Sequence, residues 1–149
     1  TAGYHYPLIA NTMHFESAYA GDNDWGNATD PATALDVSGL TAQENAIAVY
    51  WYLDNNITLD SVRFMATADG SATLNFHLFA YDMDSVGDLT NGVVHANGTV
   101  AATNSTAKTG TFTLDAADID ADKVVVGFVE NVTDTSDVSV SFNIKYHIR

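Results

Sequence analysis

The sequence predicts an all-β chain folded as an antiparallel β-sandwich, jelly-roll-like, with about eight strands. Three observations carry this. The stretch Val138 to Arg149 alternates without a break: Val138, Val140, Phe142, Ile144, Tyr146 and Ile148 are apolar, and the residues between them are polar. Successive side chains of a strand point to opposite faces, so this stretch has one face for a core and one for water. Extended at ~3.3 Å per residue it would reach about 40 Å, the depth of a small domain, with the C-terminus tied into a sheet. Elsewhere, apolar runs recur about every ten residues between Gly/Asn/Asp-rich turns, with almost no helical period, which argues for a sandwich or barrel over βαβ units. Eight such runs closed by one long strand fit a jelly roll. An immunoglobulin-like sandwich of seven strands is the alternative.

Taken in order, Tyr4 to Phe15 is apolar but irregular and contains Pro7, which confines a strand to an edge. It reads as an N-terminal edge strand or arm, able to dock on a neighbour through Tyr4, Tyr6, Leu8 and Ile9. Residues 16–36 are rich in turn formers, with Trp25 as the one large anchor and a short helical turn expected after Asp30-Pro31. Long loops in compact domains commonly contact a partner. Ile47 to Leu53 (IAVYWYL) is apolar on both faces, which predicts a central strand, or one whose Tyr50/Tyr52 face lies against another subunit.

Ile57 to Ala68 starts in phase with Ile57 and Leu59, then shifts to Val62, Phe64, Ala66 and Ala68, the signature of a β-bulge. Thr73 to Tyr81 places Leu74, Phe76, Leu78 and Ala80 on one face, with Asn75, His77, Phe79 and Tyr81 opposite. With Asp69-Gly70 between them, these two runs read as one long hairpin. Asn97-Gly98, flanked by apolar arms, predicts a two-residue type I′ turn, which needs positive φ at both positions. A short strand at Thr111 to Leu114 follows, then an acidic helical turn within Asp115 to Asp122. In the buried strand Val124 to Val129, Gly127 marks a bend or a close contact.

The composition bounds function. A chain of 149 residues suits a single β-sandwich domain. No apolar run approaches the ~18 residues of a membrane span. There is no cysteine, hence no disulfide, thiolate metal site or thiol nucleophile. Five Lys and Arg stand against nineteen Asp and Glu, a net charge of −14, and sixteen of the acids are Asp. Such a surface repels phosphate backbones, so no nucleic-acid partner is expected. Asp suits turns, and the excess fits a loop-rich β protein in a saline setting. The chain starts at Thr1, so a removed leader or an upstream portion is expected.

Catalytic motifs are absent: no G-x-S-x-G, H-E-x-x-H or P-loop occurs, and the sequence predicts no enzyme. His77 and His147 sit on strand faces read as polar and would share a metal only if their strands were neighbours. Acids two apart recur at Asp22/Asp24, at Asp82/Asp84 with Asp88, and at Asp118/Asp120/Asp122. Alternate residues of a tight loop can converge on a hard cation, and Asp82, Asp84 and Asp88 come closest to a Ca²⁺ loop, with Gly87 at its turn. Structural Ca²⁺ is therefore the one cofactor the sequence suggests. Trp25, Tyr50 and Tyr52 would form a carbohydrate platform if they converged, and core or subunit-interface packing is the competing reading. Five N-x-S/T sequons, at Asn27, Asn56, Asn97, Asn104 and Asn131, fit an Asn/Thr-rich β chain.

The stretch Ile57 to Val100, with its strand LNFHLFAYD followed by LTNGVV, resembles β-sandwich segments of tailed-phage virion proteins, marine ones especially. The resemblance implies a capsid decoration or fibre subunit in a virion or extracellular setting, assembling with itself as a symmetric oligomer, a trimer foremost, and with capsid or fibre proteins. It brings no catalytic residues. A carbohydrate-binding module that recognises glycans, and a microbial surface-layer or filament subunit, are the alternatives.

Overall fold

The computed structural model describes residues 11–19, 46–102, 106–131 and 137–149. Ten strands and no helix occur among them: β1 (Asn11–Tyr19), β2 (Ala46–Tyr52), β3 (Ile57–Ala68), β4 (Ala72–Met83), β5 (Leu89–Ala102), β6 (Lys108–Thr111), β7 (Thr113–Leu114), β8 (Asp118–Ile119), β9 (Lys123–Asn131) and β10 (Val138–Ile148). They form two antiparallel sheets. Sheet I runs β1-β10-β3-β6, with β8 also on β3, and sheet II runs β2-β9-β4-β5-β7.

Setting aside the two-residue β7 and β8, eight strands remain. The first pairs with the last (β1·β10), the second with the seventh (β2·β9), the third with the sixth (β3·β6) and the fourth with the fifth (β4·β5). This nested pairing is jelly-roll connectivity. It excludes the immunoglobulin-like alternative, whose first two strands share a sheet. β10 lies between β1 and β3, as its unbroken alternation requires, with Val138, Val140, Phe142 and Ile144 all buried.

The bulge in β3 is present. Ser61 pairs with Lys145 and Leu59 with Tyr146, leaving Asp60 as the extra residue, and the buried set is Ile57, Leu59, Val62, Phe64, Ala66 and Ala68. The expected hairpin of Ile57 to Tyr81 is not: β3 and β4 belong to opposite sheets. Each carries one apolar face, and both faces are satisfied when the chain crosses over at residues 69–71. That crossing is tied to the last turn by Asp69 N–H to the Asp137 carbonyl and Asp137 N–H to Asp69 Oδ1, both 3.0 Å.

The Asn97-Gly98 turn is also corrected. Both residues lie inside β5, opposite His77 and Phe76, and neither has positive φ. Gly98 is needed for a close approach, because a Cβ there would stand 2.6 Å from the Phe64 ring. The hairpin turn lies instead at Asp84–Asp88, where Gly87 takes φ +96°. The expected helical turn in Asp115–Asp122 is a loop holding β8; the Asp30-Pro31 turn lies outside the described residues.

The core between the sheets centres on four phenylalanines. Phe64 stacks on Phe76 at 4.3 Å between centroids, Phe112 meets Phe64 edge-on at 5.1 Å, and Phe142 lies 5.3 Å from Phe76. Offset and edge-to-face rings add about 0.5–1.5 kcal/mol per pair beyond burial. At one side, Trp51 of β2 packs on Tyr146 at 5.1 Å and on Phe15 of β1 at 6.4 Å, joining the two sheets.

Candidate functional site

Sheet II buries apolar side chains on both faces. Its outer face holds a second cluster of Phe79, Tyr81, Leu89, Val124, Val126 and Phe128, with Val94 packed against it. Phe79 and Tyr81 stack at 5.8 Å, and Phe128 meets both at an angle. The sequence reading had placed this side of β4 with the polar residues. His77 is in fact buried there, with Nδ1 2.8 Å from Asn97 Oδ1.

β2 is an edge strand rather than a central one: among the described residues it pairs with β9 alone. Val49 faces the core, and Tyr50 and Tyr52 face outward, 52% and 44% exposed. The register sets Tyr50 beside Val126 and Phe79, and Tyr52 beside Val124 and Tyr81. The two tyrosines therefore rim the second cluster. The Tyr52 hydroxyl donates to Asp122 Oδ1 at 2.9 Å, which fixes the ring and raises the hydroxyl pKa. Met83 continues the outer face of β4 beyond Tyr81 and is half exposed, and Val86 projects from the adjoining turn. Sequence reasoning missed Met83 and Val86. The signal was in the text: Phe79, Tyr81 and Met83 keep the same phase, as do Val124, Val126 and Phe128.

The other expected interface residues, Tyr4, Tyr6, Leu8 and Ile9, and the platform residue Trp25 lie outside the described residues. The described part of the N-terminal run, from Asn11 on, is an edge strand, with Met13 and Phe15 packed on the core.

The structure does not bring Asp82, Asp84 and Asp88 together as a ligand set, and no group of three or more His, Asp or Glu arranged to hold a metal occurs among the described residues. Each of the first two has another job. Asp82 pairs with Lys123 and accepts from Asn91, which hold its pKa below the ordinary value. Asp84 Oδ1 accepts the N–H groups of Val86 and Asp88, each at 2.9 Å, the side-chain turn chemistry typical of Asp, and its pKa is lowered by them. Both carboxylates stabilise the fold above pH 3.8, and that support is lost as pH falls through their folded values. His77 and His147 stand in opposite sheets and share nothing. His147 Nδ1 lies 3.0 Å from Asp60 Oδ1.

Two other histidines set a pH dependence. His14 faces two acceptors, Glu16 Oε1 at 2.8 Å and Asn143 Oδ1 at 2.9 Å, and only the imidazolium donates to both; these bonds raise its pKa above 6.5. His95 is the extra residue of a bulge in β5, and its Nδ1–H donates to the Ala116 carbonyl at 2.9 Å. Burial pulls its pKa below 6.5 against that carbonyl. The signs are opposite. The raised His14 contributes fully below 6.5 and is lost as pH rises through its folded value. The depressed His95 contributes above 6.5 and is lost as pH falls toward its folded value. The His14 contribution therefore declines above 6.5 and the His95 contribution below it. Urea midpoints measured from about pH 5 to 8 should fall on both sides, and His14→Gln should flatten the alkaline side only. An alkaline slope unchanged by His14→Gln would contradict this assignment.

Chains of solved structures similar to this one include one from the cyanophage Pam1 capsid asymmetric unit, with 16% identity over 100% of this chain and 91% of that chain and a TM-score of 0.48. Another is from the Clostridium thermocellum endo-1,4-beta-D-xylanase 10B, whose CBM22-1–GH10 modules were solved with xylohexaose; identity is 12%, over 94% of this chain and 26% of that one, with a TM-score of 0.41. A third is from infectious bursal disease virus, Gx strain, with 9% identity over 94% of this chain and 40% of that one and a TM-score of 0.32. No family model and no curated protein matches the chain.

Proposed function

We propose that this chain is a non-enzymatic virion structural protein, a capsid decoration or fibre subunit, which works by symmetric self-assembly through the outer face of sheet II. One observation carries the reading: Tyr50 and Tyr52 on β2 and Met83 on β4 stand exposed at the rim of the apolar second cluster, on a sheet whose edge strand β2 pairs on one side only among the described residues. Exposed aromatic and Met side chains next to a desolvated apolar centre are the makings of an interface. An uncharged edge strand left open is also a pairing hazard that proteins normally cover. A symmetric oligomer, a trimer foremost, covers it, and capsid or fibre proteins are the further partners.

Sedimentation of the pure protein across a wide concentration range tests this. A discrete oligomer is expected, and Tyr50→Ala with Tyr52→Ala should weaken its association at least roughly tenfold, as loss of aromatic anchors does. Because both side chains are half exposed, the variant should keep its fold. A wild-type chain that stays monomeric at high concentration and does not attach to particles would overturn the proposal.

A further inference from the structure

The outer face of sheet I differs in kind from that of sheet II. The ladder registers set its side chains in rows across the strands. One row runs His14, Asn143, Arg63, Thr111; the next runs Glu16, Ser141, Met65, Thr109; on the other side lie Thr12, Lys145 and Ser61. Two depressions adjoin at Met65, with volumes of about 390 and 510 Å³. The first is floored by Met65, Thr67, Ser139 and Ser141, with Glu16 at its side. The second holds Arg63, Thr109, Thr111 and Asn143. They follow one another along β3 from residue 63 to 67, a path of about 13 Å at ~3.3 Å per residue.

Three features mark this as a built surface. Ser141 is 95% buried, since 5% of its area is exposed, and its hydroxyl has no hydrogen-bond partner among the described residues although it lines the first depression. A buried hydroxyl left unpaired is costly, and such groups call for an explanation. Beside it on β3 stands Met65, 40% exposed, a flexible side chain that can shift to admit a polar group. Finally, the charge here runs against the rest of the chain. Of the five cations, Lys123 and Arg149 are paired with aspartates, whereas Arg63, Lys108 and Lys145 form no ion pair among the described residues, and Arg63 and Lys145 of these share this face. Of the described acids on these strands, Glu16 is engaged with His14 and Asp60 with His147.

We propose that the outer face of sheet I binds an acidic saccharide, a sugar chain carrying carboxylates. The guanidinium of Arg63 is a rigid fork for a carboxylate, and Lys145 is a second point charge one row away. The hydroxyl and amide groups of Thr109, Thr111, Ser139 and Asn143 suit sugar hydroxyls, and Met65 suits a C–H face. A protein partner would need apolar or aromatic anchors, and among the described residues Met65 is the one large apolar side chain exposed between these rows. The net charge of −14 opposes a long polyanion such as a phosphate backbone, but at physiological salt the field of distant aspartates fades over about 8 Å, so a short acidic ligand seated at Arg63 and Lys145 meets mainly the local charge. This inference goes beyond the assembly role and does not depend on it: assembly uses the opposite face of the sandwich.

The test titrates the full chain with oligogalacturonate and, separately, with a neutral galactose oligomer of the same length, followed by calorimetry and backbone amide shifts. Binding of the uronate alone is expected, weakening with salt, with shifts confined to residues near Arg63, Met65, Thr109 and Asn143. Arg63→Gln should raise the Kd at least roughly tenfold, one charge-assisted contact, with the unfolding midpoint and the sedimentation behaviour unchanged. Three results would each overturn the proposal. One is equal affinity for the neutral oligomer, and another is undiminished binding by Arg63→Gln. The third is a change of oligomeric state in Arg63→Gln without saccharide binding by the wild type, which would make this face a protein interface. Failure of the assembly reading shows separately, as a wild-type monomer.

Discussion

Phe76→Ala is expected to destabilise the chain by about 3–5 kcal/mol, the range for removing a fully buried phenylalanine. Phe76 is 0% exposed and touches three other rings: Phe64 stacked at 4.3 Å, Phe142 at 5.3 Å and Phe112 at 6.0 Å. Phe76 stands on β4 of sheet II, Phe64 and Phe142 on sheet I, and Phe112 on the short segment between β6 and β7. Truncation therefore opens a cavity where the layers meet, and no single strand can slide to close it. Against a total stability of about 5–15 kcal/mol, the variant would sit close to unfolding. Urea unfolding measures it: the midpoint should drop with the m-value unchanged. A loss below about 1 kcal/mol would mean that the sheets do not interlock at these rings.

Gly127→Val is expected to cost about 1–3 kcal/mol or more by overpacking, and to act on the proposed interface as well as on stability. Gly127 lies on β9 beside Val49, and a Cβ there would stand 2.7 Å from Val49 Cβ, 2.6 Å from its Cγ2 and 3.3 Å from the Phe142 ring. Cβ atoms are fixed to the backbone, so β2 itself must move. Tyr50 and Tyr52 ride on β2, and oligomer formation should weaken with it. Val49→Ala in the same chain removes the Cγ2 contact and should restore part of the stability; the double variant should be less destabilised than the sum of the two single changes. Strict additivity, or a wild-type oligomer in Gly127→Val, would show that β2 is not held by this contact.

Much of the sandwich is legible from side-chain phase. The alternation of Val138 to Ile148, the slip that puts a bulge at Asp60, and the inward set Leu74, Phe76, Leu78 and Ala80 were all readable, because a half-buried strand must alternate. Local signals misled where two demands compete for one residue. Asn97-Gly98 has turn chemistry, yet here the glycine serves the Phe64 ring and the asparagine bonds His77 and Asp115. Asp69-Gly70 does turn the chain, but a turn does not say whether the next strand stays in its sheet or crosses to the other one. The interface reading met a similar limit. Tyr50 and Tyr52 stood out as surplus apolar residues, whereas Met83 joins them only once β4 and β9 are seen to pair. The face of Arg63, Asn143 and Ser141 could not have been found, since its members are up to 80 residues apart.

By itself, then, the order of residues determined that this is a β chain, which faces of most strands turn inward, and that it holds no cysteine and no apolar run long enough to span a membrane as a helix. Those are properties of near neighbours, set by a two-residue repeat and by residue type. Only the tertiary structure decided which strands lie side by side, that sheet II is apolar on both faces, and that Arg63 and Lys145, without an ion pair among the described residues, share the outer face of sheet I. Pairing first with last and second with seventh joins residues far apart in the chain, and such registers are chosen by how whole faces and rings fit together.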